Sequence, residues 1–301
     1  MTSSQLHSKF LILAASLQKK TQTSRSNTSP SHHRFWCAIS SVLGTAVIAA
    51  PSAQAAQVLY NNGQDSNIVS TTLNQDEWIR VEDAPNGTPT KLTFEDGANV
   101  SGISSPSFGD SVQVAGASTV EINGGTFAYP VTAYSNSKLN VYGGTFNRDI
   151  WGSSTATINV SGGSVAGDIY LDISSTATIT AGIFHSAVVL DGRASRASIS
   201  GGQFTQTNSL RGFQLDSGSV LTLSGTSFEL NGTPIGAGFI IPTTGTLSGT
   251  WADGSSLDEI SFDRNTFGLG TGTIELKIIP EPSALALSVL SALALLRRKR
   301  R

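Results

Sequence analysis

A repeated unit of about 19 residues fills the middle of the chain and limits its fold more than any other feature. Each unit ends in a large apolar residue; the first three intervals between these ends are equal and the last two are longer. These ends are Phe127, Phe146, Val165, Phe184, Phe204 and Phe228. A nearly constant period indicates a repeat architecture, in which no unit can bury its apolar face alone. The units are therefore expected to stack on one another.

Inside each unit apolar and polar residues alternate, which predicts a strand with one buried face. Five positions before each end come Ile122, Val141, Val160, Ile179, Ile199 and Leu223. A second apolar column follows the first four ends at Val131, Ile150, Ile169 and Val188, with Ala133, Gly152, Leu171 and Leu190 two positions further on. Each unit is thus predicted to contain at least two strands.

Pairs of glycines stand between these predicted strands, where the chain must turn a corner. They are Gly124-Gly125, Gly143-Gly144, Gly162-Gly163 and Gly201-Gly202. Glycine tolerates a positive φ that other residues resist, so each pair suits a sharp bend. The aromatic residue that follows each corner is expected to point into the core and form a ladder.

These patterns predict an all-β chain, a parallel β-helix (β-solenoid) with coils of about 19 residues, taken here as right-handed. Residues 108–228 are assigned to the solenoid, with Phe108 in a degenerate first coil. Residues 56–107 are predicted to form an N-terminal β cap, and residues 229–279 a C-terminal β module with a hairpin turn at Asp253-Gly254. The pattern resembles the right-handed β-helix of pectin-lyase-like proteins and autotransporter passenger domains, in architecture only. A β-sandwich with a coincidental period is the alternative.

Residues 1–55 have the order of a secretory signal peptide. Basic residues precede an apolar stretch, residues 35–50, and small residues follow at Ala53 and Ala55. Cleavage is predicted after Ala55, because signal peptidase accepts small side chains at these positions. An N-terminal membrane helix is the alternative.

The tail, residues 280–301, combines three features that are typical of a sorting signal. Pro280, Glu281 and Pro282 precede an apolar run at residues 283–296, which is shorter than the roughly 20 residues of a comfortable membrane span. Five basic residues end the chain and would hold the tail on the cytoplasmic side, with the body outside the inner membrane. They are Arg297, Arg298, Lys299, Arg300 and Arg301.

This combination resembles the PEP-CTERM sorting signal of Gram-negative-type bacteria. The resemblance implies that a membrane protease-transpeptidase, an exosortase, recognises the tail. It also implies an inner-membrane intermediate held by a short C-terminal hydrophobic helix, followed by the cell surface or the extracellular matrix, in organisms that make exopolysaccharide. A plain C-terminal anchor is the alternative.

Charge is segregated along the chain. Ten of the 19 basic residues lie before residue 35 or in the tail, so residues 56–279 hold 9 basic and 20 acidic residues, and 9 − 20 gives a net charge of −11. An acidic body argues against nucleic-acid binding. The single cysteine, Cys37, lies in the predicted signal peptide, which excludes a cysteine nucleophile or a cysteine-ligated metal from the body. No cofactor or metal is expected.

Four aspartates are the candidate catalytic residues. Asp149 and Asp168 lie 19 residues apart, as do Asp172 and Asp191. Each pair would stack about 4.8 Å apart and could form a retaining glycosidase pair or a calcium site. Because each pair spans only two coils and no lysine or histidine aligns with it, ordinary surface charge is the favoured interpretation.

Trp151 and Tyr170 occupy one column between the apolar positions, so they are predicted to point outward and contact sugar rings. Partial burial under a neighbouring loop is the alternative. The leading hypothesis is a non-enzymatic, exported structural or adhesive protein that meets signal peptidase and exosortase during export and then extracellular polysaccharide. The competing hypothesis is a β-helix polysaccharide lyase or glycoside hydrolase that uses the four aspartates.

Overall fold

The computed structural model describes residues 57–73, 77–102, 109–205, 212–266, 268 and 270–280. These residues form an all-β body of 25 short strands in one largely parallel ladder, consistent with a parallel β-helix. The strands are β1 (Gln57–Tyr60), β2 (Asn67–Val69), β3 (Trp78–Val81), β4 (Lys91–Phe94), β5 (Asn99–Val100), β6 (Val112–Val114), β7 (Thr119–Ile122), β8 (Thr126–Phe127), β9 (Val131–Ala133), β10 (Lys138–Val141), β11 (Thr145–Phe146), β12 (Ile150–Gly152), β13 (Thr157–Val165), β14 (Ile169–Leu171), β15 (Thr176–Phe184), β16 (Val188–Leu190), β17 (Arg196–Ile199), β18 (Gln203–Phe204), β19 (Phe213–Leu215), β20 (Val220–Leu230), β21 (Thr233–Ile235), β22 (Gly238–Phe239), β23 (Thr244–Trp251), β24 (Ser256–Asp263) and β25 (Thr273–Ile278).

The strands pair in three parallel series, here called faces A, B and C. Face A contains β1, β3, β6, β9, β12, β14, β16, β19 and the end of β24. Face B contains β2, β4, β7, β10, β13, β15, β17, β20 and β25. Face C contains β5, β8, β11, the ends of β13 and β15, and β18. Each coil from β3 to β18 therefore adds one strand to each face.

The register of face B confirms the apolar columns of the sequence. Ile122 pairs with Val141, Val141 with Val160, and the series continues through Ile179 and Ile199. All of these side chains are buried. The second column is confirmed on face A, where Val131 begins the equivalent series. Equivalent residues of successive units stack on one another because one period of the sequence repeat forms one complete coil.

The glycine corners are confirmed as sites of positive φ. The second glycine of each pair adopts it, with φ of 98° at Gly125, 94° at Gly144 and 87° at Gly163. The first glycine is restricted by contact instead, because a Cβ at Gly162 would lie 2.2 Å from the carbonyl oxygen of Tyr142. Both positions of these glycine pairs thus disfavour larger residues, for different reasons, although Ala181 stands at the first position in the coil of Phe184.

The aromatic ladder is confirmed in two stacked pairs. The rings of Phe127 and Phe146 lie 5.0 Å apart with an interplanar angle of 11°, and those of Phe184 and Phe204 lie 4.9 Å apart at 24°. Val165, also buried, occupies the rung between the pairs. The core therefore holds two aromatic stacks separated by one aliphatic rung.

The parallel ladder also runs through residues 57–100, the stretch predicted as a separate N-terminal cap. Ile79 pairs with Val112, and Leu92 pairs with Val120, so the chain between paired strands is longer here than in the regular coils. Val100 is the residue in register with Phe127, in the coil before the regular set. Phe108 itself lies outside the described residues.

The C-terminal module departs from the repeat within β20. This strand pairs in parallel with β25 as far as Gly225 and then antiparallel with β23. Phe228 is therefore not the next rung after Phe204, contrary to the prediction. The hairpin of β23 and β24 turns at the predicted Asp253-Gly254 and places Trp251 against the core, 5.9 Å from Phe204 and 6.3 Å from Phe228 between ring centroids.

The predicted signal peptide and all of the predicted tail beyond Pro280 lie outside the described residues. Within the part of the chain that the structure describes, no helix has the length and apolar character needed to cross a membrane.

Candidate functional site

The outward side chains of face A form a continuous column across the rungs. In order they are Arg80, Gln113, Thr132, Trp151, Tyr170, Val189, Gln214 and Asp263. Alternation along each short strand directs these residues away from the core while their neighbours fill it. Thr132 and Val189 are nevertheless buried, so the exposed part of the column is interrupted at these two rungs. We refer to the part from Trp151 to Asp263 as the face-A strip. Its four steps of about 4.8 Å give a length of roughly 19 Å.

Trp151 and Tyr170 lie on adjacent rungs of this strip, as predicted. Their ring centroids are 5.4 Å apart, and the rings meet edge to face at 73°. Both side chains are half-buried: they lie on the outward column and are also partly covered, and their contact with sugar rings stays a prediction. The indole N–H of Trp151 is buried and makes no hydrogen bond among the described residues. The pair offers two ring surfaces at different angles rather than one flat platform.

Tyr170 is held in place by an acid on the next coil. Its hydroxyl donates a hydrogen bond to the carboxylate of Asp191. Burial, followed by this hydrogen bond and the charge of Asp191, raises the pKa of Tyr170 well above its ordinary value. The phenol therefore remains a protonated donor with a fixed ring orientation at any physiological pH.

Asp149 and Asp168 bind the backbone of the following rung. A carboxylate oxygen of Asp149 accepts the N–H of Asp168 at 2.7 Å. A carboxylate oxygen of Asp168 accepts the N–H of Ala187 at 2.9 Å and the hydroxyl of Ser186 at 2.5 Å. Each acid thus satisfies donors of its neighbouring coil, which is a stabilising arrangement.

Asp172, and Arg196 near the aspartates in sequence, are also engaged locally. The Asp172 carboxylate accepts the N–H of Ile173 at 2.6 Å. Arg196 donates to the carbonyl oxygens of Ser195 and Gly218 rather than to the four aspartates. Among the described residues there is no group of three or more His, Cys, Asp or Glu side chains placed to hold a metal ion.

Beside the column, the structure reveals a buried acid that sequence reasoning missed. Asp110 is 7% exposed, and its carboxylate accepts hydrogen bonds from Thr132 at 2.8 Å and Gln113 at 2.7 Å. Burial raises the pKa of Asp110, while the two hydrogen bonds oppose that rise. The pKa of nearby Tyr134 is also raised, mainly by burial and then by the charge of Asp110. No periodic signal marks Asp110, because it lies in the irregular segment before the first regular coil.

A cavity of about 340 Å³ lies at the far end of the face-A strip. The hairpin of β23 and β24 forms one wall and β19 the other. Its polar lining includes Gln214, Asp263, Thr244, Ser261 and Thr266. The cavity forms because the hairpin packs against β19. No sequence pattern predicts where a hairpin will pack, so the cavity could not be predicted from the sequence.

Comparison with protein-family models, with curated proteins and with solved structures found no match to this chain. The functional interpretation therefore depends on the geometry of the site and on the sequence features at the two ends.

Proposed function

We propose that this chain is an exported structural or adhesive protein of the cell surface or extracellular matrix, and that it contacts polysaccharide along the face-A strip. The observation that carries the proposal is the adjacent pair Trp151 and Tyr170, half-exposed on a column that leads to a cavity lined in part by Gln214 and Asp263. We take the coil to be right-handed, as in the β-helices that its repeat resembles.

The chemistry of the strip suits a sugar chain. Aromatic rings pack against the apolar C–H faces of pyranose rings, while amide, hydroxyl and carboxylate groups exchange hydrogen bonds with sugar hydroxyls. Trp151 and Tyr170 supply the rings, and Gln214 and Asp263 supply polar groups at the cavity. Because Asp191 fixes the Tyr170 ring before any ligand arrives, less side-chain entropy is lost on binding.

Glycan binding can be tested with the protein purified from cells that export it. The experiment measures retention in gels that contain individual neutral and acidic exopolysaccharides. Replacement of both Trp151 and Tyr170 by alanine is expected to weaken binding about tenfold or more, because about 1.4 kcal/mol of contact energy corresponds to a factor of ten.

Tyr142 provides the matched control for that experiment. It is an exposed aromatic residue, 53% accessible, at a corner between β10 and β11 and away from the face-A strip. Tyr142→Ala is expected to leave retention unchanged. Equal loss in both variants, or no retention of the wild-type protein by any matrix polymer, would remove the proposed contact.

The export route rests on the sequence at the two ends. A signal peptide cleaved after Ala55 would start export, and the tail from Pro280 to Arg301 would hold the chain at the inner membrane until an exosortase acts on it. Deletion of residues 280–301, in cells that possess an exosortase, is expected to change where the protein accumulates. An unchanged location would contradict the sorting proposal and leave the glycan proposal standing.

The enzymatic alternative is a polysaccharide lyase or glycoside hydrolase that uses Asp149, Asp168, Asp172 or Asp191. Two observations speak against it: Asp149 and Asp168 bind backbone N–H groups of the next rung, and Asp191 holds Tyr170. Turnover of an acidic polysaccharide that a single Asp→Asn substitution abolishes would replace the structural proposal with this one.

A further inference from the structure

The first rung of the ladder is an open sheet edge. Among the residues that the structure describes, β1 pairs with β3 alone and β2 pairs with β4 alone. Every later strand of faces A and B up to β20 has a neighbour on each side. With respect to the described residues, the outer side of β1 and β2 therefore presents unpaired backbone N–H and C=O groups, which are a template for another strand.

The hydrogen bonds of β1 show which groups face outward. The Tyr60 carbonyl oxygen accepts the N–H of Glu82, at the end of β3, at 3.0 Å. Backbone groups of successive residues in a strand point to opposite sides, so the N–H and C=O of Leu59 face the open side. Leu59 is thus the central hydrogen-bonding residue of the edge.

This edge lacks the features that normally protect one. Soluble proteins place lysine, other charges or proline on exposed edge strands to prevent pairing. β1 and β2 contain no charged residue and no proline. Leu59 is 46% exposed and Ile68 is 62% exposed, and Val58, Tyr60 and Leu73 are only partly buried where they meet the core. The edge therefore combines free backbone groups with an apolar surface.

The opposite end shows that openness is not a necessary property of this fold. There, β24 pairs with both β19 and β23, and β25 pairs with both β20 and β22. The outermost strand β22 is only two residues long, and Asp258 and Glu259 place charge on β24. Charge on the end strands and an additional strand outside the ladder are the protections that the first rung lacks.

We propose that the open edge pairs with the same edge of a second copy of this chain, which joins two bodies end to end. A two-fold interface must be self-complementary, and an uncharged strand satisfies this condition where a charged one would not. Two copies of the body repel each other over most of their surface, because residues 56–279 carry a net charge of −11. β1 and β2 carry no charge, so contact between copies is least opposed at this edge. The nearby Glu82 is neutralised by Arg80 at 2.8 Å. This proposal does not depend on polysaccharide binding.

The test measures self-association of the full-length protein by analytical ultracentrifugation over a range of concentrations. The wild-type protein is expected to form a dimer. Leu59→Lys adds a charge at an exposed side chain, and Leu59→Pro removes the outward N–H without removing the bond between Tyr60 and Glu82. Both variants are expected to dimerise at least tenfold more weakly, with the all-β circular dichroism spectrum retained.

Phe239→Lys is the matched control, because Phe239 is 67% exposed on β22 at the opposite end. It is expected to dimerise like the wild-type protein. A wild-type protein that is monomeric throughout, or one whose dimer resists both Leu59 variants, overturns the proposal. Slow amide exchange across β1 in a monomer would instead identify residues 1–56, which directly precede β1, as the occupant of the edge.

Discussion

The two ends of the ladder are built from the same kind of rung and finish in opposite ways. Within the part of the chain that the structure describes, the first strands of the N-terminal end are β1 and β2, which leave an uncharged edge open. The C-terminal end is closed because β20 leaves the parallel ladder at Gly225 and a hairpin folds back against it. A stack of parallel coils can always accept another coil at its end. To cover that end, a segment must reverse direction and a large side chain must anchor it against the core. Only the C-terminal end has both among the described residues.

The largest loss of unfolding free energy is expected for Trp251→Ala, which removes the side chain that anchors the β23–β24 hairpin to the core. Trp251 is fully buried and contacts Phe204 and Phe228. Loss of a buried aromatic side chain costs about 3–5 kcal/mol of unfolding free energy. Urea unfolding measures this loss, and amide exchange should place it in β23 and β24.

Trp151→Ala is the control for that prediction, because it removes the same side chain from the half-buried face-A strip. We expect it to cost clearly less than Trp251→Ala. Equal losses would mean that the C-terminal closure contributes no more than the outer surface does.

A smaller effect is expected for Gly249→Ala, which tests how tightly the hairpin lies against β20. Gly249 has a φ of 149°, and a Cβ there would lie 2.2 Å from the carbonyl oxygen of Ser227. We expect a cost of about 2–3 kcal/mol from strain and displacement of the strand. Thermal unfolding of the variant against the wild-type protein measures it.

Gly254→Ala separates backbone strain from contact in the same hairpin. Gly254 also has a positive φ, 86°, but a Cβ there would meet nothing within 4 Å. Its replacement is expected to cost only about 1 kcal/mol. If the two glycine variants unfold alike, the close approach of β23 to β20 has no energetic role.

At the open end, Tyr60→Ala is expected to cost about 1 kcal/mol of unfolding free energy. Tyr60 is only half-buried and belongs to a rung with one neighbour, so its removal loses less apolar contact than Trp251→Ala does. Amide exchange should also be faster in β1 than in β25 of the wild-type monomer, since end rungs open locally. A cost as large as that of Trp251→Ala would abolish the contrast between the ends.

The smallest expected effect is a pH dependence of the stability, caused by Asp110 in the N-terminal half. Burial raises the pKa of Asp110, so the folded chain holds this proton more tightly than the unfolded chain does. The resulting stabilisation is fully present below the ordinary value of about 3.9 and is lost as pH rises through the raised pKa.

Asp110→Asn, which stays neutral, should remove that loss, while Asp258→Asn on exposed β24 serves as the control. The difference in pH dependence between the wild-type protein and Asp110→Asn can be measured as melting temperatures between about pH 3.5 and 7, since this range spans the ordinary carboxyl pKa. A wild-type protein whose stability rises more steeply with pH than that of Asp110→Asn would contradict the direction.

Much of the ladder could be predicted from sequence, because one constant period and one alternation determine which side chains stack. The columns from Ile122 to Ile199 and the corners at Gly125 and Gly163 follow from that regularity. The coils before residue 108 could not be found in this way, since their greater and unequal lengths hide their register. Phe228 kept the pattern of a rung although its strand had already turned to another partner.

The site was predictable only in outline. Alternation placed Trp151 and Tyr170 on one outward column, but ring angles depend on packing that no sequence period encodes. The aspartates were correctly spaced for neighbouring rungs, yet spacing cannot distinguish a carboxylate that faces solvent from one that accepts a backbone N–H. Asp149 and Asp168 do the latter. The cavity beside Asp263 required the docked hairpin.

The parallel rungs also have a mechanical consequence. Their hydrogen bonds run along the direction of stacking, so a pull between the two ends passes through every rung in series. Extra coils would lengthen such a body without raising the force that it withstands, because a series of links is only as strong as its weakest member. Among the described rungs, the first has a neighbour on one side only, so it is the one most open to local fraying.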